Sequence, residues 1–188
     1  MLHCLNGHRE FICVFVFLLM ILLTTLFTNC VCYFTIPHHS GAQHVALEEY
    51  VDNIRAIIST IQSRLPKSAI ILITPPPVDE QARLQHAFTT YGVVLEQSER
   101  TNQVTGQYAN AAKRLGEEVQ IPVLNLWEEF QKASPEDWKT VFLSDGLHLS
   151  PAGNELVGRL VLELIEKKLN HISVASIPWD FPDWKDLV

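Results

Sequence analysis

Two short apolar runs, residues 69–74 and 121–126, each lie between stretches of helical periodicity, and this alternation constrains the fold more than any other feature of the chain. Ahead of the first run, Leu47, Tyr50, Val51, Ile54, Ile57, Ile58, Ile61 and Leu65 recur at three- and four-residue spacing. That spacing predicts an amphipathic helix over residues 46–64, closed by Pro66. The run at 69–74 suits a strand buried on both faces, and Pro75, Pro76 and Pro77 end it in a loop. A polar, helix-favouring stretch follows at 79–88. A longer helix is predicted over 97–115, with Thr101, Val104, Tyr108, Ala111, Ala112 and Leu115 along one side and Gly116 as its stop. The second strand is predicted at 121–126, and another helix begins at 127–132. Ser150 and Pro151 then open the last helix, the first as a side-chain cap and the second at the first helical position. Its buried face is predicted to hold Leu156, Leu160, Val161, Leu164, Ile165 and Leu169.

Helix, strand, helix, strand, helix is the order of an α/β layered domain built on a parallel sheet. Only two strands are clear, whereas a doubly wound sheet needs four or five. Either the apolar N-terminus supplies a third strand or part of the domain is missing. There is no internal repeat and no low-complexity tract.

A chain of 188 residues accommodates one domain with a substantial core. Aliphatic and aromatic residues make up 47% and charged residues 19%, which fits a globular protein and not a disordered one. The net charge of −7, with no cluster of Lys and Arg, argues against nucleic acid as a partner. Composition changes near residue 35. Residues 11–28 form an uncharged run preceded by Arg9, His3 and His8, which reads as a signal or membrane anchor. A buried strand is the alternative, because Val, Ile and Phe are frequent and residues 30–34 are strand-like. The chain is therefore secreted or membrane-anchored, with membrane contact through 11–28, if that run is a signal or anchor, and cytoplasmic otherwise. Cys4, Cys13, Cys30 and Cys32 all lie ahead of the regular part, so no disulfide framework holds the main domain. Three segments result: the apolar stretch 1–35, a domain over 36–170 and an aromatic, proline-bearing tail over 171–188, for which packing is the expected role.

Asp145 and His148 stand three residues apart in a loop directly before the capped last helix. A serine hydrolase needs a histidine to take the hydroxyl proton and return it to the leaving group, and a carboxylate to fix the imidazole tautomer. Gly146 permits the tight turn that brings both side chains to one pocket. On pattern alone the segment fits a polar loop ahead of a helix better than a catalytic pair. The flanking residues change that. The string Ser144-Asp145-Gly146-Leu147-His148-Leu149-Ser150-Pro151-Ala152-Gly153-Asn154 resembles the last block of GDSL/SGNH esterases. The resemblance extends back through Trp138-Lys139-Thr140, Val123-Leu124-Asn125-Leu126-Trp127 and Ile73-Thr74-Pro75-Pro76-Pro77-Val78-Asp79-Glu80 to His44-Val45-Ala46-Leu47-Glu48-Glu49-Tyr50. Within the family the chain looks most like the isoamyl acetate-hydrolysing branch and its plant GDSL esterase/lipases. The resemblance implies a three-layer, flavodoxin-like SGNH hydrolase fold with a parallel sheet, and ester hydrolysis through an acyl-serine. It implies His148 as general base, Asp145 as its orienting partner, a small acyl ester as substrate and no cofactor.

The family's G-D-S block, whose serine is the nucleophile, and its G-x-N-D block, which completes the oxyanion hole, have no counterpart in this sequence. The resemblance therefore implies an N-terminally incomplete domain, and it breaks where Val31-Cys32-Tyr33-Phe34 runs directly into Thr35-Ile36-Pro37-His38-His39-Ser40-Gly41. Ser40 is a poor substitute nucleophile, because it lacks the strand-to-helix turn that presents one. His38, His39 and His44 read as loop histidines, since no Cys, Asp or Glu nearby completes a metal site. Asn29 has no glycine two positions before it and is a poor oxyanion donor. The expectation is an inactive chain of an esterase family, with a non-catalytic, tethered or secreted binding protein as the alternative. Lacking a central strand, residues 36–188 alone are expected to be poorly soluble.

Overall fold

The computed structural model of the protein describes residues 45–169. Helix α1 (Leu47–Arg64) carries Glu48 and Glu49 in its first turn and Arg64 in its last, charges that suit the helix dipole. Strand β1 (Leu72–Ile73) follows, then helices α2 (Glu80–Tyr91) and α3 (Asn102–Glu118), strand β2 (Val123–Leu124) and helices α4 (Leu126–Ala133), α5 (Trp138–Phe142) and α6 (Pro151–Lys168). The two strands are parallel and in register, Leu72 opposite Val123 and Ile73 opposite Leu124. A parallel pair needs a crossover connection, and α2 and α3 supply it.

Alternation along these strands sorts the core into layers. Leu72 and Val123 face one side, where Tyr50, Ile54 and Ile58 of α1 meet Tyr108, Ala112 and Leu115 of α3. Ile73 and Leu124 face the other side, against Leu126, Phe130, Trp138, Phe142, Leu156 and Val157 of α4, α5 and α6. Ile71 joins that second side through Ile165 and Leu169. The arrangement is α/β with helices on both faces of a parallel sheet, as the alternation of runs and periodic stretches requires.

Several predicted boundaries are corrected. Each strand is two residues long, not six. Asn125 and Leu126 leave β2 because the Asn125 side chain caps α4, accepting from the Glu128 backbone N–H at 3.3 Å and from the Thr74 hydroxyl at 3.0 Å. The helix predicted from residue 97 starts at Asn102, since Thr101 caps it by accepting from the Val104 N–H. Gly116 does not stop that helix, which runs on to Glu118. Gly116 instead lets α3 lie close on the sheet, where a β-carbon would collide with the Val123 side chain. In α1 only Tyr50, Ile54 and Ile58 are buried, while Ile57 and Leu65 lie exposed at the rim of the predicted stripe. Helix α5, with Trp138 and Phe142 buried one turn apart, is an element the spacing did not predict. The cap at Ser150 and the proline at the start of α6 stand as expected.

The apolar run 11–28, the strand-like 30–34, all four cysteines and the tail over 171–188 lie outside the described residues, as do Asn29, His38, His39, Ser40 and His44. Among the described residues no helix is long and apolar enough to cross a membrane.

Candidate active site

The loop between α5 and α6 is closed on itself before it presents any chemistry. Leu143 and Leu149 form an isolated antiparallel bridge. Inside it the Ser144 backbone N–H donates to the His148 carbonyl at 2.8 Å, and the Ser144 hydroxyl donates to the same oxygen at 3.1 Å. Outside it the Ser150 N–H donates to the Phe142 carbonyl, and the Ser150 hydroxyl donates to the Val141 carbonyl at 2.6 Å. Ser150 thus caps α6 and pins the loop at once. At the tip, Gly146 has φ of +84°, a left-handed conformation that disfavours any side chain. Its carbonyl accepts from the Asp79 N–H at 2.9 Å, so the tip is seated on the first turn of α2.

That turn brings Asp145 and His148 together as the spacing suggested. The Asp145 side chain is 15% exposed and that of His148 is 61% exposed. Oδ1 of Asp145 accepts the backbone N–H groups of Leu147 at 3.0 Å and His148 at 2.8 Å. Oδ2 lies 2.8 Å from Nδ1 of His148 and also accepts from Nη1 of Arg83 at 3.2 Å. Burial by itself would raise the Asp145 carboxyl; the hydrogen bonds from the His148 backbone, the His148 ring and the Leu147 N–H outweigh it and hold the group at about 2. Asp145 is therefore ionised at neutral pH and can only accept. Nδ1 of His148 is therefore the donor in that contact, and Nε2 has no partner among the described residues.

No serine hydroxyl among the described residues reaches the His148 ring. Ser144 and Ser150, the nearest in sequence, are committed to backbone groups of the loop. No described group of three or more His, Cys, Asp or Glu side chains is placed to hold a metal.

Sequence reasoning missed three polar residues around Asp145. Arg83, on α2, joins Asp145 to Glu99, donating to Glu99 through both Nε and Nη2. Asp79 caps α2 by accepting from the Gln81 N–H and lies 3.9 Å from Lys139. The Asp79-Glu80 dipeptide stands in a block that the family resemblance covers, so Asp79 carried a signal. Arg83 and Glu99 carried none, because their meeting depends on how α2 folds back on the loop.

The site described is thus an ionised carboxylate paired with a histidine, in the loop ahead of the last helix of an α/β domain. Residues 36–156 match the model of the GDSL-like lipase/acylhydrolase family, and the chain belongs to that family. It is 44% identical over 150 residues to a GDSL esterase/lipase of Arabidopsis thaliana, covering 79% of this chain and 59% of that protein. It is 41% identical over 146 residues to an isoamyl acetate-hydrolyzing esterase 1 homolog of Mus musculus, covering 77% of this chain and 54% of that protein. The chain thus spans little more than half the length of these relatives. Among solved structures, a lipase/acylhydrolase from Enterococcus faecalis aligns at 26% identity with a TM-score of 0.51, over 66% of this chain and 54% of that one. An acetyl-xylooligosaccharide esterase from Geobacillus shares the fold at 19% identity and a TM-score of 0.53, over 76% of this chain and 55% of that one. The fold expected from the resemblance, an SGNH-type α/β architecture, is the fold found.

Proposed function

We propose that Asp145 and His148 form the acid–base side of a carboxylic-ester hydrolase that works through an acyl-serine. The observation that carries this reading is the 2.8 Å contact between Nδ1 of His148 and an Asp145 carboxylate held at about 2. In the reaction, Nε2 takes the proton of a serine hydroxyl as its oxygen attacks the ester carbonyl. The resulting imidazolium, stabilised by Asp145, returns the proton to the departing alcohol. A water then repeats the cycle on the acyl-serine and releases the acid. A small acyl ester is the substrate class, in keeping with the mouse relative, an isoamyl acetate-hydrolyzing esterase 1 homolog.

The finer part of the reading concerns what faces His148. Because the sequence holds neither a G-D-S nor a G-x-N-D string, the nucleophile and the oxyanion donors have no identifiable source in it. In a well-studied serine protease, loss of the nucleophile alone costs roughly 10⁶ in turnover, and oxyanion donors are worth roughly 10²–10³ each. By itself this polypeptide is then inactive toward esters. The second reading is a non-catalytic binding protein, with which the same missing strings are equally compatible. Assay of the purified chain with p-nitrophenyl acetate tests both: hydrolysis no faster than buffer is expected. Hydrolysis that disappears on His148→Ala overturns the inactivity and keeps the acid–base roles; hydrolysis that survives His148→Ala overturns the roles.

A further inference from the structure

Arg83 is not needed to build the loop. The turn at 143–150 is closed by its own backbone, and the two N–H groups on Oδ1 already fix one edge of the Asp145 carboxylate. Yet Arg83, only 12% exposed along its side chain, reaches across from α2 to the other oxygen, the one that faces the His148 ring. A guanidinium withdrawn from water needs a partner, and Glu99 (18% exposed) already provides one. The second contact, to Asp145, has to be explained separately. Its effect is geometric: with Oδ1 holding two backbone donors and Oδ2 holding one ring donor and one guanidinium donor, the carboxylate plane cannot rotate away from the imidazole. The planar fork of Arg supplies that second direction, whereas the point charge of a Lys cannot serve Glu99 and Asp145 in fixed directions together.

We propose that Arg83 is a positioning residue for the Asp145–His148 pair, holding Oδ2 in line with Nδ1 of His148 while Glu99 braces the guanidinium from the far side. The proposal rests on the acid–base reading of that pair given above. Arg83 itself touches neither the ring nor the reacting atoms; it acts through Asp145. The other charged pair seated against the loop, Asp79 with Lys139 at 3.9 Å, sits at the cap of α2 and provides no donor to Asp145.

The experiment needs no turnover. In the full chain, NMR follows the His148 Nδ1–H and Nε2 signals, which report the ring tautomer, and the carboxyl carbon of Asp145 through an acid titration. In the unaltered chain the ring is expected in the Nδ1–H form at neutral pH, with Asp145 titrating near 2. Arg83→Gln is expected to mix the tautomers; Arg83→Lys is expected to fall between the two. A folded Arg83→Gln chain with an unchanged tautomer overturns the proposal. If Arg83→Gln does not fold, Arg83→Lys decides by the same rule. Asp145→Asn separates this from the underlying reading. Should that variant keep the Nδ1–H signal, the acid–base reading itself fails. Should it lose the signal while Arg83→Gln keeps it, only the role of Arg83 fails.

Discussion

The α1–α3 layer and the loop at 143–150 are held together by opposite means. In the layer, Tyr50, Ile54, Ile58, Tyr108, Ala112 and Leu115 fill volume against Leu72, and the Tyr108 hydroxyl, donating to the Val45 carbonyl at 2.7 Å, ties the layer to the chain ahead of α1. In the loop little is apolar at the tip, and position is set by hydrogen bonds from Ser144, Ser150, Leu147 and His148. Packing tolerates exchanges of similar volume and penalises lost volume. A hydrogen-bonded turn tolerates loss of volume and penalises any change of backbone direction. The layer therefore makes the domain stable, and the loop makes the site exact in shape.

Removing volume from the layer is the largest expected effect. Leu115, 2% exposed, loses about 3–4 kcal/mol of stability as Leu115→Ala, while Leu115→Met loses under about 1.5 kcal/mol; urea unfolding measures both. Neither is expected to disturb the His148 ring signals of the folded protein. A Leu115→Ala chain with altered ring signals would mean that the two regions are not independent. The converse break is Gly146→Ala. A β-carbon there meets the Asp79 carbonyl at 2.5 Å on a backbone at φ +84°, with a cost of about 2–3 kcal/mol expected from positive φ and crowding together. Here the His148 signals are expected to shift, since the Asp79 to Gly146 hydrogen bond cannot survive unmoved. Stability within about 0.5 kcal/mol of the parent would show that the tip is not seated as firmly as its contacts imply.

How much of this was legible in the sequence follows the same division. The layer follows from periodicity, because burying a helix face leaves its trace at every third or fourth residue: Tyr50, Ile54 and Ile58 were readable for that reason. Its errors came where packing overrode propensity. Gly116 reads as a stop, and the sheet beside it turns it into a point of contact inside α3. Trp138 and Phe142 give too short a period to read, and only their burial against α6 defines α5. Of the site, the turn through Asp145, Gly146 and His148 was readable because a local turn is a local property, but its candidate role came only from the family resemblance of the flanking blocks. Arg83 and Glu99 were not, since their approach to Asp145 crosses 62 and 46 positions of sequence and depends on the whole crossover between the strands.

The smallest expected effect is the one that distinguishes the two regions by acidity. The folded Asp145 carboxyl sits at about 2, below its ordinary 3.8, so the folded state binds this proton more weakly than the unfolded chain does. The stability it contributes is therefore complete above about pH 4, declines as pH falls from there toward 2, and is gone below it. With the His148 partner exposed and the pair partly screened by solvent, the contribution is on the order of 1 kcal/mol. Urea unfolding of the parent and of Asp145→Asn at pH 6 and at pH 2 reads it directly: the gap between them is expected at pH 6 and nearly closed at pH 2, where a protonated Asp145 and an Asn differ little in charge. The gap between the parent and Leu115→Ala is expected to stay the same at both values, because nothing around Leu115 in its core cluster carries a carboxylate. An Asp145→Asn gap that ignores pH would place the hold on the loop in its backbone alone, and would leave the carboxylate with only the histidine to serve.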